Sequence, residues 1–197
     1  MGKCSNRLFQ IKGLETQGSG GVSQSDARHW KRMLCAFGRD SDELRCTLAE
    51  KGKKMCTEYL DPRVLEGTMN NRLIPLDKSP GVRPVGIGEV ERRILGKAAL
   101  AVLGDEIVGV AGVDQMCTGQ PAACEAVVHA MRRAFECDAY DGLLLVDADN
   151  AFNRLNRQVA LLNIRHLCPS LSVLLINCYR QAAVLYVSGG LVMSSEE

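Results

Sequence analysis

The feature that most constrains the fold of this chain is an apolar run that ends in carboxylates. Residues 142–149 are Gly-Leu-Leu-Leu-Val-Asp-Ala-Asp. A run of this length is typical of a strand that is buried on both faces and has its polar end at the edge of a sheet. Alternate residues of a strand share a face, so Asp147 and Asp149 are expected to point the same way. Two close carboxylates repel each other unless a cation lies between them, so the pair can mark a divalent metal site, but Asp pairs also cap turns and the pair alone does not decide between the two.

The charged residues divide unevenly along the chain. Residues 1–100 contain 18 Lys and Arg against 12 Asp and Glu, whereas residues 101–197 contain 6 against 11. The two parts therefore carry net charges of +6 and −5, although the whole chain carries +1. This division favours a phosphate-facing part followed by a carboxylate-bearing part, and chance division of a neutral protein is the alternative.

The cysteines and the apolar runs bear on the compartment. Nine cysteines occur without a CxxC pair, which predicts buried thiols in a reducing compartment and argues against a zinc cluster. The N-terminus lacks the apolar core of a signal peptide, and no run approaches the roughly 18 apolar residues that a membrane span requires. We therefore expect an intracellular protein, cytoplasmic or nuclear, without a membrane partner. The oligomeric state has no signal in the sequence.

The hydrophobic periodicity predicts an α+β fold. Residues 1–24 are poor in large apolar side chains and contain a Gly-Ser-Gly-Gly sequence, which predicts a flexible segment. Residues 25–70 contain two amphipathic helices, the first capped by Ser25 or Asp26, and predict a helical hairpin. A helix-turn-helix is the alternative, although nothing marks a recognition helix. Lys51 is expected on the solvated face of the second helix.

Residues 72–78 and 82–87 predict two extended segments around the turn Ser-Pro-Gly. Each segment contains a proline, which cannot donate a ladder hydrogen bond, so an exposed two-stranded ribbon is expected. Lys78 and Arg83 flank the turn, where they can reach one anion together. A pair of solvated surface charges is the alternative for them.

The sequence does not match the common nucleotide-binding and catalytic motifs. Residues 86–91 follow an extended segment as a dinucleotide-binding turn would, but Glu91 stands at the third glycine position. The chain contains no Walker loop and no GxSxG sequence. The three histidines are scattered and form no metal-binding or nucleophile–base pattern.

Residues 144–153, Leu-Leu-Val-Asp-Ala-Asp-Asn-Ala-Phe-Asn, resemble the first palm motif of reverse transcriptases. Residues 76–88 resemble the fingers segment of that family, with its basic hairpin and its Arg-Pro step. Gly119-Gln120 with the following helix, Cys168-Pro169, Tyr179-Arg180 and residues 187–196 are similar to further family blocks in the same order. The likeness is to the polymerases of eukaryotic retrotransposons, and it covers roughly residues 22–197.

The resemblance implies an α+β architecture in which the helical hairpin is followed by a fingers-like region over 71–140 and an incomplete palm over 141–197. It implies RNA-directed DNA polymerase activity, with an RNA or DNA template-primer and deoxynucleoside triphosphates as partners. In the complete family domain, two Mg²⁺ or Mn²⁺ ions assist nucleotidyl transfer. By the resemblance, Asp147 is the catalytic residue that holds both ions, and the Ala148 carbonyl helps to hold one.

The resemblance also implies a nucleotide pocket. Lys78 and Arg83 would neutralise the triphosphate, and the backbone amides of Asn150 and Ala151 would add contacts to it, as would Ala148 through its position in the motif. Phe152 would pack under the sugar and exclude a 2′-hydroxyl group. A core aromatic side chain is the alternative for Phe152.

The chain departs from the family pattern in one respect. The family supplies its remaining metal ligands from a hairpin with two adjacent aspartates, and no Asp-Asp dipeptide occurs in this sequence. Mg²⁺ requires several fixed oxygen ligands, so weak or absent metal binding and no DNA synthesis by this polypeptide alone are expected. The alternatives are a non-catalytic nucleic-acid-binding module, a helical interaction protein built on residues 25–60, and a non-functional retroelement remnant.

Overall fold

The computed structural model describes residues 2–112, 115, 118–119, 121–137, 142, 144–147, 154–188 and 190–194. The helices within these residues are α1 (Gly2–Glu15), α2 (Ala27–Cys35), α3 (Arg39–Thr57), α4 (Pro62–Met69), α5 (Val90–Ala111), α6 (Ala123–Phe135), α7 (Arg157–Leu167) and α8 (Pro169–Tyr179). The strands are β1 (Asn71–Asp77), β2 (Val82–Gly88), β3 (Val184–Val187) and β4 (Gly190–Met193).

The four strands form one mixed sheet in the order β2-β1-β3-β4. Strand β1 is antiparallel to β2 along its whole length, and β3 is antiparallel to β4. The two pairs join through a short parallel contact, in which Asn71 and Arg72 lie opposite Leu185 and Tyr186. The structure is therefore a mixed α+β fold, as the periodicity predicts.

The hydrophobic core lies among the helices. Its buried side chains come from six of the helices: Phe9, Ala27, Leu34, Leu48, Met55, Leu65, Met69, Val90, Ile94, Leu95, Ala98 and Leu174. Leu34 and Ile94 are fully buried. Burial of a side chain of this size contributes about 1.5–3 kcal/mol to the stability of the fold. The core therefore holds in place α5, which follows β2 in the chain, and α8, which precedes β3.

Local capping explains where several helices begin. The carboxylate of Asp26 accepts a hydrogen bond from the backbone N–H of His29 at 2.8 Å, which confirms Asp26 as the cap of α2. Asn156 caps α7 in the same way. Helix α8 begins at Pro169, whose fixed φ angle suits the first turn of a helix. Helix α4 was not predicted from the periodicity.

The first 24 residues differ from the flexible segment that the composition predicts. They contain α1, whose Phe9 side chain is 6% exposed within the core. Arg93 donates to the carbonyl oxygen of residue 17 at 2.7 Å, and Lys97 donates to that of residue 15 at 2.9 Å. The buried ring of Phe9 and the hydrogen bonds from α5 hold this segment in place. The composition of residues 1–24 does not reveal these contacts, because α5 is distant in the sequence.

The prediction that the Lys51 side chain is solvated is wrong. Its ammonium group donates to Glu91 and to Thr68, both at 2.7 Å, and its side chain is 30% exposed. The long aliphatic stem allows the charged group to reach a partner on another helix. Lys51 therefore joins α3 to α4 and α5.

The apolar run 142–149 does not form the predicted buried strand in its described part. Residues 144–147 adopt neither helix nor strand, and Leu144, Leu145 and Val146 are 80–85% exposed. A continuous apolar strand is buried only when neighbouring strands and helices cover it. Strands β1 to β4 pair among themselves, and none of them pairs with residues 144–147. Asp149 lies outside the described residues.

Candidate anion-binding groove

The ribbon formed by β1 and β2 projects from the sheet as predicted. The strands pair from Asn71 opposite Gly88 to Asp77 opposite Val82, and the end of the ribbon near the turn is exposed. The backbone N–H of Lys78 donates to the carbonyl oxygen of Gly81 at 2.9 Å and closes the turn. Gly81 has φ +100°, a conformation that glycine adopts without strain.

Both basic residues of the ribbon lie near its turn. Arg83 lies opposite Leu76 in the register of the two strands. Lys78 directly follows the last residue of β1. Asp77, the carboxylate next to Lys78 in the sequence, lies opposite Val82.

The basic residues line an open groove of about 330 Å³. Its lining consists of Lys78, Pro80, Gly81, Val82, Arg83, Pro84 and Arg154. Within the part of the chain that the structure describes, neither Lys78 nor Arg83 forms an ion pair with a carboxylate. Each positive charge attracts an anion about 4 Å away by about 1 kcal/mol in bulk water and by about 4 kcal/mol near a protein surface. The groove is therefore suited to a phosphate-bearing ligand.

Arg154 is the lining residue that the sequence reasoning missed. It belongs to the short stretch before α7, whereas Lys78 and Arg83 come from the ribbon. Two features of the sequence could have drawn attention to Arg154. It directly follows the palm-like motif of residues 144–153, and it is one of only six basic residues in the acidic half of the chain. A single arginine in a surface stretch indicates no function without the structure.

The predicted metal ligands are only partly described. Asp147 is exposed, forms no hydrogen bond or ion pair with another described residue, and is not among the residues lining the groove. Among the described residues, no group of three or more His, Cys, Asp or Glu side chains is arranged to hold a metal ion. The remaining predicted residues of the motif, Ala148, Asn150, Ala151 and Phe152, lie outside the described residues. The structure thus brings Lys78 and Arg83 together but does not group Asp147 with them.

A larger cavity, about 650 Å³, lies between α7, α8 and the sheet. Most of its lining is apolar, and its charged lining residues in the described chain are Arg92 and Arg157. Both guanidinium groups donate to backbone carbonyls, Arg92 to Met69 at 3.2 Å and Arg157 to Gln181 at 3.3 Å. The Nη2 atom of Arg157 is buried without a hydrogen-bond partner in the described part of the chain, so the guanidinium group of Arg157 is only partly used by the backbone.

Burial raises the pKa of three thiols of the described chain, those of Cys56, Cys168 and Cys178, so these side chains stay protonated at neutral pH. The prediction of buried thiols is correct for Cys168 but wrong for Cys35, Cys46, Cys124 and Cys137, which are exposed.

Comparisons with protein-family models, with curated proteins and with solved structures find no match to this chain. Among the described residues, no helix is both long enough and apolar enough to cross a membrane.

Proposed function

We propose that this chain provides the nucleotide-binding fingers and the first palm segment of an RNA-directed DNA polymerase of the retrotransposon type. In this assignment, residues 25–70 form the N-terminal helical hairpin, residues 71–140 the fingers-like region and residues 141–197 the start of the palm. The observation that carries the proposal is the groove, which Lys78 and Arg83 line together near the exposed turn of the ribbon without a described carboxylate partner.

The two side chains have complementary roles in holding a deoxynucleoside triphosphate. The planar guanidinium group of Arg83 donates two parallel hydrogen bonds to phosphate oxygens, which sets the orientation of the phosphate. The ammonium group of Lys78 is a compact charge on a flexible stem, so it can adjust its position to the phosphate groups of the ligand. Because both side chains are exposed and neither forms an ion pair with a described carboxylate, a nucleotide has no such pair to displace.

The chemical step is assigned to the complete polymerase domain. When bound, two divalent ions would supply charge stabilisation at the attacking and leaving oxygens, and Asp147 would be one of their ligands. Asp147 is an exposed oxygen ligand, but the described residues hold no cluster that would complete the coordination of Mg²⁺. We therefore propose nucleotide binding for this chain and expect no primer extension by it alone.

A titration with a fluorescent deoxynucleoside triphosphate at low ionic strength tests nucleotide binding. Loss of a hydrogen bond to a charged group costs about 1.5–3 kcal/mol, so Arg83→Ala should weaken binding about tenfold or more. Arg63→Ala is the matched control, because Arg63 is an exposed arginine on α4 that does not line the groove. Absence of binding by the wild type, or equal binding by Arg83→Ala, would refute the proposal.

Two further measurements separate the alternatives. If single-stranded RNA competes with the nucleotide and its affinity falls steeply with salt, the groove serves a non-catalytic nucleic-acid-binding module. A primer-extension assay on an RNA template with Mg²⁺ or Mn²⁺ tests the expected lack of synthesis. DNA synthesis that Asp147→Ala abolishes would show that this polypeptide is active by itself.

A further inference from the structure

The cavity between α7, α8 and the sheet is separate from the anion-binding groove. Its volume is about 650 Å³, and it shares no lining residue with the groove. Its apolar lining includes Leu161 and Ile164 from α7, Leu175 from α8 and Leu185 from β3. Cavities of about 300–1,000 Å³ that are mostly apolar and contain a few polar groups are typical of binding sites for small molecules. The proposed nucleotide binding makes no use of this cavity.

The charged groups that line the cavity are all positive in the described chain. They belong to Arg92 and Arg157, and the described lining contains no Asp or Glu. Arg92 donates through Nη1 to the carbonyl oxygen of Met69 and through Nη2 to the side-chain oxygen of Asn71, both at 3.2 Å. Both terminal nitrogens of Arg92 are therefore engaged. The excess of positive charge favours a ligand with a negative group over a neutral or cationic one.

Arg157 has hydrogen-bonding capacity that the described fold does not use. Its Nη1 atom donates to the carbonyl oxygen of Gln181 at 3.3 Å, which is longer than a usual N–H···O hydrogen bond. Its Nη2 atom is buried and has no hydrogen-bond partner among the described residues. A buried donor without a partner is unfavourable, so an acceptor that a ligand brings to this guanidinium group would remove an existing cost.

We propose that this cavity binds an amphipathic monocarboxylate, a molecule with an apolar body and one carboxylate group. The apolar body packs against Leu161, Ile164 and Leu175. The carboxylate accepts hydrogen bonds from Arg157, whose guanidinium group turns slightly to present Nη2 to the ligand. A volume of about 650 Å³ corresponds to about 20 groups of the size of a water molecule, at roughly 30 Å³ each. The chain of a medium-length fatty acid fits within this volume.

The number of free donors decides between a carboxylate and a phosphate head group. A phosphate monoester carries a charge of about −1.5 to −2 near neutral pH, whereas a carboxylate carries a single charge. The described lining offers one unpartnered nitrogen, on Arg157. A buried charge without a partner is strongly unfavourable, so the singly charged carboxylate is the better match.

Isothermal titration calorimetry with decanoate and with 1-decanol, below the concentrations at which they form micelles, tests the proposal. The two ligands have the same apolar chain and differ in the charge of the head group. The wild type should bind decanoate about tenfold or more tightly than 1-decanol, as expected for a hydrogen bond to a charged group. Arg157→Met removes the charge but keeps an unbranched side chain. It should weaken decanoate binding about tenfold and change 1-decanol binding less than about twofold.

Two variants control the assignment. Arg157→Lys keeps the positive charge and should retain part of the preference for decanoate. Arg165→Met removes an exposed arginine of α7 that does not line the cavity, and it should leave both affinities unchanged. Equal binding of the two ligands by the wild type, or a wild-type ratio of affinities in Arg157→Met, would refute the proposal.

Two further measurements do not require a folded Arg157→Met variant. Leu161→Phe places a larger side chain in the cavity and should weaken both ligands, so unchanged binding by this variant would place the ligand elsewhere and refute the site. Decyl phosphate should bind the wild type more weakly than decanoate does. Tighter binding of decyl phosphate would overturn the choice of a carboxylate. None of these substitutions touches the groove, so the outcome is independent of the nucleotide titration.

Discussion

Asn177 of α8 should be a strong determinant of stability, because one buried side chain serves three backbone groups. Its amide group donates to the carbonyl oxygens of Met55 at 2.9 Å and Glu58 at 2.7 Å. Its own oxygen accepts from the N–H of Leu60 at 3.0 Å. These backbone groups lie at the C-terminal end of α3, where helical carbonyl groups have no partner within the helix. Asn177 is 5% exposed, so water cannot easily replace it.

The substitution Asn177→Ala removes all three hydrogen bonds at once. A typical hydrogen bond contributes about 0.5–1.5 kcal/mol net, so the free energy of unfolding should fall by about 3 kcal/mol. This is a large part of the roughly 5–15 kcal/mol that stabilises a domain. With a denaturant dependence of about 2 kcal/mol per molar urea, the midpoint of unfolding should fall by about 1.5 M.

Urea unfolding followed by circular dichroism measures this loss. Asn163→Ala is the matched control, since Asn163 is exposed on α7, and it should change stability by less than about 0.5 kcal/mol. If Asn177→Ala unfolds within about 0.5 kcal/mol of the wild type with the same denaturant dependence, the three hydrogen bonds do not hold α8 against α3 as argued.

Two other predictions concern the core and the thiols. Leu34 is fully buried, so Leu34→Ala should lower the free energy of unfolding by about 3 kcal/mol. Leu162 is 55% exposed, so the control Leu162→Ala should change this free energy by less than about 1 kcal/mol. Equal effects of the two substitutions in urea unfolding would contradict the assignment of the core. Burial raises the pKa of Cys168, which lowers its thiolate fraction at pH 8, so iodoacetamide should label the exposed Cys35 first and Cys168 only after unfolding. Mass spectrometry of the labelled peptides checks this order, and early labelling of Cys168 in the folded chain would contradict it.

The elements that the sequence predicts well are those that depend on neighbouring residues. Asp26, one of the two predicted caps, caps a helix through an N–H three residues away. The Ser-Pro-Gly turn sets the pairing of the ribbon in the same local manner. Such interactions form whatever the rest of the chain does, and a pattern of a few residues is enough to identify them.

Features that depend on distant residues were predicted poorly. Lys51 has the local pattern of a solvated lysine, but Glu91 on another helix binds it. Residues 144–146 have the composition of a buried strand, but they are exposed. Burial of an apolar strand requires other strands and helices that cover it, and the local composition does not show whether they are there. Both the strand and its burial depend on partners elsewhere in the fold, so the hydrophobic pattern alone predicted a strand that residues 144–147 do not form.

The groove combines both kinds of information. Lys78 and Arg83 could be paired from the sequence, because both flank a short turn that the sequence predicts. Arg154 could not be added, because its place depends on how the stretch before α7 packs beside the ribbon. The basic pair is therefore a property of the ribbon, whereas the full lining of the groove is a property of the fold.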